Sequence, residues 1–206
     1  TPIGMVATSP YVAVSGAAVK SEGFDKFVEE AKERPMFFAT AGVGSSSHFA
    51  AELLIQQANL PADVVHYSGG GEAQVNLMGG HADVYISTTA SVMPYVNNGQ
   101  VKALVVLAPE RFELLPDVQS SGENGVEGIE IDGWLGLLGP GGMGPALVGR
   151  LNADMNKAIA TDRFKKVLEE NFVIAGKTTA AESKEQVEKE MDLWVGLAKE
   201  RNIIAQ

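Results

Sequence analysis

Met36-Phe37-Phe38-Ala39-Thr40-Ala41-Gly42-Val43-Gly44-Ser45-Ser46-Ser47-His48-Phe49 is the stretch on which the fold turns. Met36–Thr40, directly after Pro35, is a short apolar run bounded by turn residues and reads as a buried strand. Glycine and serine break the run, and Phe49, Leu53 and Leu54 then share one face of a helix that starts near Ser46. The same unit recurs downstream. Val64-Val65-His66-Tyr67 reads as a strand, Ser68-Gly69-Gly70-Gly71-Glu72 as a loop, and Val75 with Met78 as a helix face. Asp83-Val84-Tyr85-Ile86-Ser87 is the next strand, followed by Thr88-Thr89-Ala90-Ser91 and a short helix to Val96 that stops at Asn98-Gly99. A helix carrying Phe24, Phe27, Val28 and Ala31 precedes Pro35, and a strand at Ala103–Leu107 closes the series. Strands alternating with helices across short loops predict a parallel sheet covered by helices.

Beyond this α/β region the pattern changes. Pro109 to Gly128 is polar and turn-rich and reads as a long surface connection, with Arg111 and Glu123 suited to tether it. Trp134–Leu138 is strand-like, and Pro145 opens a helix in which Leu147, Leu151, Met155 and Ile159 repeat every four residues. Asp162 caps a helix with Phe164, Val167 and Leu168 inward, and Phe172-Val173-Ile174 is a short strand. Thr179 and Glu182 have capping-box spacing ahead of a last helix striped by Val187, Met191, Trp194 and Ala198. The reading is therefore a complete lobe over 13–133, with 134–206 as part of another and 1–12 as the end of that first lobe and the crossover. Three apolar helix faces over so little sheet lead us to expect that another segment covers 134–206, or that the chain self-associates through it.

Composition narrows the function. The 206 residues include 26 acidic and 16 basic side chains, a net charge of -10, which argues against a nucleic-acid partner or an anionic membrane surface. With no cysteine there is no disulfide framework, Cys-ligated zinc or thiol nucleophile. No apolar run reaches the about 18 residues a membrane helix needs.

The three strand-to-helix loops carry the chemistry. In a parallel sheet they lie together at the carboxyl edge, where α/β folds bind ligands. Each starts a helix, whose unpaired N–H groups and partial positive charge suit an anion. None contains Lys or Arg, so the expected guest is a modest anion such as a carboxylate, held by backbone and hydroxyl groups. Ordinary capping by serine and threonine explains each loop taken singly. Gly42–Ser47 lacks the third dinucleotide-fold glycine, no P-loop lysine follows it, and no G-x-S-x-G elbow occurs. His48 and His66 are candidates to converge with Glu72 or Asp83 as a metal or acid–base site, although their spacing is not that of a ligand set. Trp134 is read as a core aromatic, with a cleft-facing role as the alternative.

The ordered series Gly42-Val43-Gly44-Ser45, Ser47-His48, Tyr67-Ser68-Gly69-Gly70, Gly79-Gly80-His81-Ala82-Asp83, Leu115-Pro116-Asp117-Val118 and Trp134-Leu135-Gly136-Leu137 resembles the extracytoplasmic solute receptors of tripartite tricarboxylate transporters, the Bug or TctC-like family. The resemblance runs from about Pro2 to the C-terminus. It implies an α/β, type II periplasmic-binding-protein-like fold, here one complete parallel-sheet lobe plus the C-terminal part of a second lobe. It implies capture of a small organic anion in an interlobe cleft, no catalysis and no cofactor or metal, a periplasmic location, and delivery to membrane transporter subunits. Members of the family carry a further N-terminal segment and a signal peptide, so the resemblance places Thr1 where that segment should already be ending. Carried over by position, the ligand-binding residues are Gly42, Gly44, Ser45 and Ser46, with Tyr67 and Gly69, Thr88 and Thr89, and His48 as a further candidate. Two other readings stay open: a ligand-sensing domain of a transcription regulator, and a small hydrolase using Ser45 or Ser46 with His48 or His66.

Overall fold

The computed structural model describes residues 1–129, 131–200 and 203. It divides into two compact units, one of Pro10–Ile131 and one of Thr1–Ser9 with the segment from Asp132 through the last helix. The end of the 134–206 region lies outside the described residues, apart from 203.

In the Pro10–Ile131 unit the alternating pattern becomes β2 (Met36–Thr40), β3 (Ala62–His66) and β4 (Val84–Thr88), with β2 parallel to both neighbours. Helices α1 (Phe24–Glu33), α2 (Ser46–Gln57), α3 (Gly70–Met78) and α4 (Thr89–Asn97) intervene, and β5 (Lys102–Val106) follows. Helix α1 buries Phe24, Phe27 and Ala31, with the Phe27 ring edge-on to Phe38 at 6.3 Å. It ends at Arg34, whose backbone is extended because Pro35 disfavours the helical region before it.

The sheet is mixed, not wholly parallel. Pro2–Ser15, which the sequence pattern does not identify as a strand, forms β1, the longest of all. Its second half lies between β4 and β5 and is antiparallel to both, giving the order β3-β2-β4-β1-β5. Val12, Ala13 and Val14 have no exposed surface, so the strand shows no polar alternation to betray it. Pro10 falls where β1 passes from pairing with β7 to pairing with β4, so its missing N–H breaks no ladder bond there.

Two other expectations are corrected. Helix α3 starts at Gly70, which turns Ala73, Gln74 and Leu77 inward and leaves Val75 63% exposed. The 109–128 connection is not merely superficial, because Phe112, Leu115 and Val126 are buried. It is pinned by Arg111, whose Nε and Nη2 donate to Glu123 and whose Nη1 donates to the Pro116 carbonyl at 2.7 Å. Glu123 in turn accepts the Ser120 N–H.

In the other unit the first half of β1 pairs with β6 (Asp132–Leu138) and β7 (Ile174–Ala175). Helices α5 (Pro145–Ile159), α6 (Asp162–Glu170) and α7 (Ala180–Glu200) belong to the same unit. Asn152 of α5 donates to the carbonyls of Ile3 and Thr178, both at 2.7 Å. The capping box closes both ways: Glu182 accepts the Thr179 N–H at 2.8 Å and Thr179 Oγ1 accepts the Glu182 N–H at 3.1 Å. Trp134 is half-buried and donates its indole N–H to Glu190 of α7. Val167, expected inward, is exposed; Leu147 and Met191, on the helix faces expected to need a further partner, are exposed too, as are Leu135, Leu137 and Leu138 of β6.

Candidate functional site

Because β2, β3 and β4 run parallel, their three following loops stand at one sheet edge. The antiparallel β1 brings a fourth group there: Tyr11 pairs with Thr88, and its hydroxyl bonds to Ser46 Oγ at 2.5 Å. Tyr11 escaped the sequence reading because its strand did.

The first loop is built around two left-handed glycines, Gly42 at φ +119° and Gly44 at φ +76°. A side chain is strained in that region, so glycine is required for the turn itself. Ser45 braces it. Its Oγ donates to the Gly42 carbonyl at 2.7 Å, accepts the His48 N–H at 3.2 Å as the α2 N-cap, and lies 2.9 Å from Ser47 Oγ. Ser47 Oγ accepts the Ala41 N–H at 2.8 Å. The Ser45 hydroxyl is therefore engaged inside the loop, where it acts as a brace. The N–H groups of Val43, Ser46 and Ser47 have no hydrogen-bond partner among the described residues. Val43 and Ser46 are exposed, and a helix start directs its free N–H groups outward along the axis.

The second loop is already filled. Glu72 accepts both the Ser68 N–H at 2.9 Å and its hydroxyl at 2.5 Å, and these bonds hold its carboxyl below the usual range. The protein's own carboxylate thus takes the donors of Ser68 that an anion would use. Tyr67 and Gly69 are half-buried beside it, and the Tyr67 N–H donates to the Thr40 carbonyl. Gly69 has an extended backbone, φ 174°, so no left-handed turn demands glycine there. In the third loop Thr88 Oγ1 and Ser91 Oγ lie 2.9 Å apart, and Thr88 is half-buried. Thr89, which opens α4, has no exposed surface.

His48 is enclosed, 6% exposed, and its Nδ1 accepts the Gly44 N–H at 3.1 Å. His66 on the sheet's edge strand stands against it, ring centroids 4.5 Å apart, with its own Nδ1 2.7 Å from Thr40 Oγ1. The two imidazoles do meet, but the acids proposed to join them do not. Glu72 binds Ser68, and Asp83, before β4 at the other edge, takes Arg34 at 2.8 Å and the Phe37 N–H at 2.9 Å. Among the described residues no three His, Asp or Glu side chains cluster to hold a metal. For a serine nucleophile an imidazole must stand within hydrogen-bond reach of the hydroxyl. Here the Ser45 hydroxyl pairs with Gly42 and Ser47, Ser46 with Tyr11, and His48 Nδ1 with Gly44. No described helix is long and apolar enough to cross a membrane.

The chain belongs to the tripartite tricarboxylate transporter receptor family, whose profile matches residues 1–203. Protein BugT of Bordetella pertussis is 27% identical over 205 residues, which make up 97% of this chain and 62% of BugT. The chain therefore spans less than two thirds of that relative's length. Among solved structures, R. palustris Rpa4515 with adipate superposes with a TM-score of 0.87 at 23% identity, covering 97% of this chain and 67% of that one. MatC from Rhodopseudomonas palustris with bound malate gives 0.80 at 24% identity, covering 96% and 69%. These likenesses establish a periplasmic-binding-protein fold for the chain.

Proposed function

We propose that the protein is a periplasmic solute-binding receptor that takes a small organic carboxylate at the carboxyl edge of the Pro10–Ile131 sheet and delivers it to the membrane subunits of a tripartite transporter. The observation that carries this reading is the first loop. Its free N–H groups at Ser46 and Ser47 sit at a helix start, with that of Val43 in the turn before it, beside two hydroxyls, Ser46 and Tyr11, and with no Lys or Arg among Ala41–His48. Backbone donors and a helix N-terminus favour an anion of one or two charges without a formal counter-charge. The family and the carboxylate ligands in Rpa4515 and MatC support the same class of guest. Ser45 and Thr89 support the loops in this reading, and Gly42 and Gly44 shape them.

Calorimetric titration of the full-length gene product with malate, adipate and the matching diamides tests the proposal. Charge-assisted bonds exceed neutral ones by about 1 kcal/mol each, so a diacid should bind at least roughly tenfold tighter than its diamide. Equal affinity for acid and amide, or binding of neither, would overturn it.

A further inference from the structure

The first loop hangs on a histidine that touches it from behind. A backbone N–H can only donate, so the Gly44 amide requires His48 Nδ1 to carry a lone pair and no proton. The ring proton then belongs to Nε2, which lies 3.7 Å from Glu52 Oε1 one helical turn on. If Nδ1 gained a proton, two N–H groups would face each other at 3.1 Å, and either the ring or the Gly44 peptide would have to move. Gly44 adjoins both Val43 and the α2 start, so the free donors move with it.

We propose that His48 is the positioning residue of the first loop: only its uncharged imidazole accepts the Gly44 N–H, so the loop keeps its anion-binding shape while His48 is neutral and gives it up on protonation. This rests on the receptor reading for its ligand, although the loop's dependence on His48 does not. His66 is the instructive contrast. Its Nδ1 faces the Thr40 hydroxyl, an oxygen that can accept as well as donate, so a proton there leaves the pairing intact.

The surroundings favour the neutral form. Of the strands packed on α2, β2 has no titratable side chain, β4 has Tyr85, and β3 has Asp63 and His66. Tyr11 reaches the helix start from β1, and Glu52 lies on α2 itself. Burial first, and the adjacent His66 second, hold the His48 imidazolium below its ordinary 6.5, while Glu52 opposes them. The unfolded chain therefore takes the proton at higher pH than the folded one. Stability from this group is intact above 6.5 and falls as pH drops toward the folded value.

Two measurements test the proposal. Nitrogen-15 NMR of the protein without added ligand, between about pH 8 and pH 5, reads the His48 tautomer and the Gly44 amide together. The expected result is a neutral ring protonated at Nε2 at the upper end, and a Gly44 amide shift that follows the His48 titration. Calorimetry with malate over the same range compares the parent with His48→Asn, whose Oδ1 can replace Nδ1 but does not titrate, and with His48→Phe, which fills the space without an acceptor. His48→Asn should bind within about threefold of the parent at the upper end and lose the part of the pH decline that is due to the protein. His48→Phe should bind roughly tenfold weaker throughout. Protonation of malate itself is common to all three and cancels. A Gly44 amide indifferent to the His48 titration, or identical pH profiles for parent and His48→Asn, would overturn the proposal. Absent malate binding with the Gly44–His48 coupling intact would overturn the receptor reading alone.

Discussion

Ser45→Ala separates a loop brace from a ligand contact. The substitution removes one oxygen that accepts the His48 N–H at 3.2 Å, donates to the Gly42 carbonyl at 2.7 Å and meets Ser47 Oγ at 2.9 Å. Loss of a serine N-cap costs about 1 kcal/mol. Loss of the Gly42 bond adds less than the usual ~1 kcal/mol, because the Gly42 carbonyl still accepts the Ser45 N–H at 3.2 Å. Ser47 keeps its bond from the Ala41 N–H and adds little. The sum is about 1.5–2 kcal/mol of unfolding free energy. Urea unfolding should show the midpoint move down with an unchanged slope. Ser45→Asp, an equally good cap that cannot donate to Gly42, should recover about 1 kcal/mol. Carboxylate affinity should weaken only as far as the loop loosens. An unshifted midpoint together with a tenfold loss of affinity would show that Ser45 meets the ligand directly, and that its bonds within the loop are incidental.

Asp83→Ala leaves the Phe37 N–H without its acceptor and Arg34 without its closest carboxylate. Arg34 is 39% exposed and can turn to water, so the expected cost is about 2 kcal/mol, below that of a fully enclosed pair, and is read from the urea midpoint. An effect under about 0.5 kcal/mol would show the buried carboxylate to be dispensable. Thr179→Ala removes the cap of α7 and should destabilise the protein by about 1 kcal/mol, with amide exchange rising first in the opening turn of that helix. Exchange that rises evenly along α7 would refute a local capping role.

Periodicity made most elements legible, because a helix buried on one side and a strand closed by turn residues are imposed by neighbours in the chain. Met36–Thr40 and the Thr179–Glu182 cap were readable for that reason. The exposed positions of Val75 and Val167 were not, since an apolar residue signals a buried face only if something packs there. The ordered glycine and serine motifs were enough to recognise the family, because the first loop's turn needs glycine at Gly42 and Gly44.

The sequence by itself determined the alternating α/β order, the family and the glycine and serine loops on which the proposed anion site rests, all of them local patterns or strings of motifs. Tertiary structure alone decided where Pro2–Ser15 pairs, and therefore that Tyr11 reaches Ser46. It also decided that Glu72 fills the second loop and that His48 stands behind the first with its lone pair on Gly44. A strand's neighbours in a sheet are chosen by burial across the fold, and which atoms of a polar side chain are left for a ligand depends on what its surroundings have already taken.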